Sequence, residues 1–162
     1  MIVIDIGCAR YGGDYSIERL IEEFHPDVLY GFDPHSSLAE IEIDGDIGDT
    51  IVSLKRKAAW TFDGEVGYRE DGLNSWVTDD PTAPKVPCFD LARFIEELPE
   101  TEIVLKIDAE GSEYDLLSHL ILTGADERLS LVWCEWHMTV ENAEARRRVI
   151  EAEMCEIREW TY

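Results

Sequence analysis

The chain has 162 residues and carries 36 acidic against 14 basic side chains, a net charge of −22 that repels nucleic-acid backbones and disfavours a DNA or RNA substrate. Its length fits one domain, spanning 1–162, and a 45% hydrophobic content is enough to build one sizeable core. No uninterrupted run of about 18 apolar residues occurs, so no membrane span is expected.

The acids are spread along the chain rather than gathered in a tail, and the lysines are few (Lys55, Lys57, Lys85 and Lys106). The pattern describes a well-solvated acidic surface, and adaptation to high salt is a sharper form of the same reading. Cys8, Cys88, Cys134 and Cys155 form no C-x-x-C pair, which argues against a zinc site. Free buried thiols in a reducing cytoplasm are expected instead. The opening MIVIDIG has no basic stretch before its apolar run, so it reads as a strand rather than a signal peptide.

Residues 2–6 (IVIDI) are a short apolar run closed by Gly7, the pattern of a buried strand. A glycine-bearing turn, CARYGGD, follows. Ile17, Leu20, Ile21 and Phe24 then fall on one helical stripe, with Asp14 placed to cap its start and Pro26 just past its end. Residues 28–32 (VLYGF) form a second strand ending at Asp33-Pro34. Residues 36–56 carry no firm pattern: SSLAEIEI suggests a short helix and DGDIGDT a turn. KAAWTF (57–62) and EVGYRE (65–70) read as a hairpin about Asp63-Gly64. The Gly-, Asn-, Asp-, Thr- and Pro-rich stretch 71–87 reads as a long surface loop.

Leu91, Phe94, Ile95 and Leu98 mark a helix capped by Asp90. IVLKID (103–108) is a third buried strand, Tyr114, Leu117, Leu120 and Ile121 a third helix, and LSLVWCEW (129–136) a fourth strand. Residues 140–154 are helical in pattern, and EIREWTY (156–162) suggests a terminal strand. Strands alternating with helices indicate an α/β fold with a mainly parallel sheet, which binds ligands at the carboxyl ends of its strands.

On that expectation Asp108 ends a strand and Glu110 sits in the loop above it, both facing the crevice. Glu113 and Asp115 open the next helix, where its dipole favours negative charge. Gly7 lets backbone approach a ligand after the first strand, and Asp33, ending the second, can accept hydrogen bonds from ribose hydroxyls. Together they point to an adenosine-type cofactor.

Several motifs in order resemble the FkbM-type family of S-adenosylmethionine-dependent methyltransferases, over residues 3–137. VIDIGCARYGG resembles the family's V-x-D-V-G-A-N-x-G, one residue longer between Gly7 and Gly12. YGFDP is similar to its acid-plus-proline end of strand two, KAAW with Asp63-Gly64 to its third-strand segment, and CFDLARFI to its L-D-x-L segment. LKIDAEGSEYDLL resembles K-x-D-x-E-G-x-E, its most specific motif, and WCEWH resembles the E-x-H that closes strand five.

The resemblance implies a Rossmann-like class I methyltransferase fold, a mainly parallel central sheet flanked by helices and shortened at both ends. It implies S-adenosylmethionine as cofactor. Asp5 and Gly7, with Cys8 and Gly12, would form the turn that holds its methionine part, Asp33 would bind the ribose, and the adenine would lie near Ala59 and Trp60. Asp108 would stand beside the sulfonium and the acceptor, Lys106 and Glu110 would order the site, and Glu135 and His137 would line its far wall. With shortened ends, the acceptor pocket would be open or covered by a second copy in a homo-oligomer.

The expected activity is O-methylation of a hydroxyl on a sugar, such as a glycoside, or on another small metabolite. Such a transfer is an in-line displacement, most of whose rate comes from placing donor and acceptor together. A hydroxyl is poorly acidic, so a base helps. His137 is the first candidate because an unperturbed imidazole titrates near neutral pH, with Asp108 and Glu110 as the others. Asp108, Glu135 and His137 are also of the types that hold a divalent metal. Two alternatives stand beside this expectation. One is a cofactor-binding module without catalysis. The other is an NAD-dependent oxidoreductase, disfavoured because Ala9 occupies the middle-glycine position of G-x-G-x-x-G and Asp33 lies beyond the usual ~20 residues from the glycine turn.

Overall fold

The computed structural model describes residues 1–8, 16–40, 44–72, 75–154 and 156–161. Gly12, the Asp14 cap, Cys155 and residues 41–43 lie outside them. In chain order the elements are β1 (Ile2–Ile6), α1 (Ser16–Phe24), β2 (Val28–Phe32), β3 (Asp44–Ile47), β4 (Thr50–Lys55), β5 (Ala58–Trp60), β6 (Gly64–Arg69), β7 (Trp76–Thr78), β8 (Lys85–Asp90), α2 (Leu91–Glu97), β9 (Ile103–Ile107), α3 (Glu113–Thr123), β10 (Leu131–Cys134), α4 (Ala143–Glu153) and β11 (Ile157–Glu159). Single 3-10 turns cover Ser36–Glu40 and Ala125–Arg128. No helix among the described residues is long and apolar enough to cross a membrane.

The protein is α/β with two sheets. The larger has the order β11-β10-β9-β1-β2-β4-β3. Its pairings are parallel from β11 to β4, and only the edge strand β3 is antiparallel, to β4. The fully buried runs of β1, β9 and β10 suit strands covered on both faces. Side chains alternate between those faces. Ile2, Ile4 and Ile6 pack with Ile95 of α2, Leu117 and Leu120 of α3 and Ile150 of α4. Val3 instead packs with Ile17 and Leu20 of α1 and with Trp133 and Trp160.

The smaller sheet has the order β5-β8-β6-β7, and here the sequence expectations need correction. Residues 57–62 and 65–70 do not pair as a hairpin, because β8 lies between β5 and β6, parallel to the first and antiparallel to the second. The stretch 71–87 is not wholly loop, since it contains β7 and opens β8. Pro87 hid β8 by removing a backbone donor from a central strand. It is tolerated because pairing with β5 begins one residue later, at Ala58–Cys88. Residues 44–55, expected as a turn and unassigned chain, form the β3–β4 hairpin. Its strand Thr50–Lys55 is the third parallel strand of the large sheet, the place KAAW was expected to fill.

Candidate functional site

The carboxyl ends of β1, β2, β9 and β10 open on one edge of the large sheet, and the order reverses between β1 and β9. Gly7 makes that junction possible. Its φ of +81° is a left-handed conformation, and a Cβ there would stand 1.8 Å from the carbonyl oxygen of Asp108. The neighbouring strand ends can meet this closely only because residue 7 has no side chain.

Lys106 fixes the same junction from within. Neither Lys106 nor Asp5 is exposed, and they form an ion pair at 3.1 Å. The Lys106 ammonium also donates to the Gly7 carbonyl at 2.8 Å, and Ser16 Oγ donates to Asp5 Oδ2 at 2.7 Å. Asp5 therefore braces the turn from beneath α1, its two oxygens committed to Lys106 and Ser16. Asp108 Oδ2 lies 3.8 Å from the same ammonium. Cys8 is buried beside this pair, and burial, then Asp5 and Asp33, push its thiol pKa up, so it stays protonated.

His137, just past β10, meets the loop that follows β9. Its Nε2 stands 3.3 Å from Glu110 Oε2 and 3.8 Å from Asp108 Oδ1. Its Nδ1 stands 3.3 Å from Glu113 Oε1, an ion-pair approach rather than a well-aligned hydrogen bond. Burial alone would lower the His137 pKa, but the contact with Glu113 and the charges of Glu113, Glu110 and Asp108 outweigh it and raise it to about 9. The unperturbed value assumed from the sequence does not apply, and at neutral pH the ring is an imidazolium. Burial also raises the pKa of Glu110. His137 opposes that shift, while Asp108, Glu135 and Glu113 add to it.

Asp108, Glu110 and His137 offer ligand atoms within 4.8 Å of one another, so the group with metal-ligand spacing holds Glu110 where the sequence reading had Glu135. Asp33 is buried at the end of β2 and accepts the His35 N–H at 2.7 Å. Ala59 packs in the core with Phe32 and Phe89, while Trp60 lies against the small sheet's own cluster. Close by, a pocket of about 210 Å³ is lined by Phe32, Phe89 and Phe94, with Lys55, Lys57 and Arg93 among its charged residues. It contains none of the carboxylate–histidine cluster, so this hollow and the titratable chemistry are not one site.

Two residues join the site in roles the sequence did not give them. Glu113, taken as a helix-dipole residue, is fully buried and accepts the backbone N–H groups of Gly111 and His137, each at 2.8 Å. Tyr68, on β6, is buried, and its phenol pKa is raised by burial and then by the charge of Asp33, with Glu70 and Glu110 adding to it and a hydrogen bond with Ser75 opposing it. Tyr68 thus feels the charges of both Asp33 and Glu110. The E-G-S-E spacing put Glu113 in view, but no sequence signal marks Tyr68.

Other polar side chains have partners of their own. His119 pairs with Asp90 at 3.0 Å and His35 Nδ1 meets Ser37 Oγ at 2.8 Å. Arg146, Arg147 and Arg148 are taken up by Asp115, Glu151 and Glu144. Cys8, Cys88 and Cys134 are free and buried.

The chain matches no protein-family model, and no curated protein or solved structure is significantly similar to it, so the resemblance described above rests on its motifs alone.

Proposed function

We propose that the chain is an S-adenosylmethionine-dependent O-methyltransferase of FkbM type with a Rossmann-like fold. The observation that carries the reading is the charge of the crevice. Asp33, Asp108, Glu110, Glu113 and Glu135 stand against Lys106 and His137, an acidic surround that favours a sulfonium cation and repels a pyrophosphate. Strand order supports it too. Numbered along the chain, the six parallel strands run 3-2-1-4-5-6 across the sheet, the doubly wound order whose ligand crevice lies where the order reverses. Asp33 at the end of β2 suits the ribose hydroxyls, and the aromatic group of Phe32 and Phe89 beside Ala59 suits the adenine ring.

In this reading the acceptor oxygen attacks the methyl carbon, forming a C–O bond as the C–S bond breaks. The electron pair of that bond passes to sulfur, giving S-adenosylhomocysteine. The hydroxyl proton passes to a carboxylate of Asp108 or Glu110. Burial raises the pKa of Glu110, which increases its hold on a proton. In the ion-free site His137, as imidazolium, holds those carboxylates by charge, 3.3 Å from Glu110 and 3.8 Å from Asp108. The substrate class is a small hydroxylated acceptor such as a glycoside.

One observation favours a second reading. β11 pairs parallel and directly with β10, as in nicotinamide-binding sheets of the same order. The acidic crevice and Ala9 in place of a glycine weigh against it.

Calorimetric titration with S-adenosylmethionine, S-adenosylhomocysteine and NAD separates the two. Saturable binding of the first two, weakened in Asp33→Asn, is expected. Binding of NAD instead, or of none of the three up to millimolar concentration, would overturn the methyltransferase assignment.

A further inference from the structure

The cluster at the ends of β9 and β10 is built from three chain positions that converge on one point. His137 Nε2, 3.3 Å from Glu110 Oε2 and 3.8 Å from Asp108 Oδ1, is already near the spacing of atoms that share an ion. Ligands bonded to one cation at about 2.1 Å stand about 3–3.5 Å apart. The full set lies within 4.8 Å. The side chains of Asp108, Glu110 and His137 keep 12%, 27% and 19% of their exposure, enough for an ion to enter and to retain open positions.

A second, independent feature aims the histidine. The fully buried Glu113 holds the backbone N–H of His137 with Oε1 and lies on the Nδ1 side of its ring. Metal-binding histidines turn one ring nitrogen toward a carboxylate and offer the other to the ion, and here the Nδ1 side faces Glu113 in an ion-pair approach. The other oxygen of Glu113 accepts the Gly111 N–H. Gly111 at φ +99° follows Glu110 at φ +49°, a left-handed conformation uncommon for a residue with a side chain. Glu113 thus ties the β9–α3 loop that carries Glu110 to the backbone of His137.

We infer that Asp108, Glu110 and His137 bind a divalent cation of the manganese and magnesium class, which displaces the proton from His137 Nε2 as it binds. The donor set of two carboxylates and one imidazole, with no thiolate, matches the hard end of the divalent series. The cation's remaining positions open on the crevice, where they can take oxygens of a hydroxylated acceptor. That role in catalysis rests on the methyltransferase reading; the binding of the ion does not.

The test is titration of the chelator-treated full chain with Mn2+, following the free ion by electron paramagnetic resonance at physiological ionic strength and without any cofactor. One equivalent should bind saturably. Glu110→Gln and His137→Gln should each weaken it by at least about tenfold, Glu113→Gln should fall in the range of about 10- to 100-fold, and Glu22→Gln on α1 should change nothing. Glu110 is partly exposed on a loop, and circular dichroism of Glu110→Gln confirms that the comparison is made on folded protein. Diffuse binding of several ions that Glu110→Gln leaves unaltered would overturn the inference, as would no binding at all. Mn2+ bound where S-adenosylmethionine does not bind would sustain the ion site and remove the methyltransferase reading. The cofactor bound without Mn2+ would do the reverse.

Discussion

Glu113 grips His137 twice: one carboxylate oxygen accepts the His137 backbone N–H at 2.8 Å and stands 3.3 Å from its ring Nδ1. The two residues are 24 positions apart. Through this contact the loop after β9 and the loop after β10 become one rigid unit, with Asp108, Glu110 and His137 facing one another across it.

Replacing Glu113 should therefore cost more than a surface helix-start residue would. Glu113→Ala removes two charge-assisted hydrogen bonds, each worth about 1.5–3 kcal/mol, and leaves two backbone donors without their acceptor. Urea unfolding should show a loss of about 3 kcal/mol or more, with Glu113→Gln falling between that and the parent. A loss below about 0.5 kcal/mol, the range of surface substitutions, would mean that the contact is not a structural tie.

In the metal-free protein His137 should titrate near 9 by NMR. The sign of the linkage follows from that shift. The folded-state value lies above the unfolded value of about 6.5, so the stability His137 contributes is fully present below about pH 6.5 and is lost as pH rises through about 9. Melting temperatures compared between parent and His137→Gln should differ most at the acid end of that window and converge above it. A ring titrating at its ordinary value would contradict the carboxylate surround.

Lys106→Met should destabilise the chain by about 3–5 kcal/mol, because it leaves Asp5 buried and unpaired. Adding Asp5→Leu to that variant should recover part of the loss by removing the stranded charge. If the double variant proved no more stable than Lys106→Met, the penalty would belong to the lost Gly7 contact rather than to the ion pair.

Gly7→Ala tests the junction of β1 and β9. The φ of +81° alone costs a side-chain-bearing residue about 1–2 kcal/mol, and the 1.8 Å approach to the Asp108 carbonyl forces the two strand ends apart. The variant should lose stability beyond that figure in denaturant unfolding, and should lose ligand binding even under conditions where it stays folded. A variant that bound ligand as the parent does would show that the close approach is not required.

Local pattern made much of this chain legible. The apolar runs at 2–6, 28–32 and 103–107 and the stripe beginning at Ile17 are short-range signals, and each became the expected element. Asp90 caps α2 through the N–H groups of Ala92 and Arg93, as its place before Leu91 suggested. β5 and β6 were legible as strands, but their pairing, and the strands β4 and β8, were missed because the parallel partners that define them are distant in sequence. β4 is defined by pairing with β2, and β8 by inserting between two strands that look contiguous.

The same division holds at the site. The sequence by itself determined an acidic α/β chain and which carboxylates and histidine could meet at its strand ends, because residue type and strand position follow from short-range periodicity. Only the tertiary structure decided that Glu110 rather than Glu135 completes the group with Asp108 and His137. It alone decided that Glu113 is buried against His137, that Tyr68 feels the charges of Asp33 and Glu110, and that the histidine is held protonated. The reason is physical: a pKa and a ligand set depend on charges a few ångströms apart in space, and residues 110, 113 and 137 come that close only when the loops after β9 and β10 are brought together.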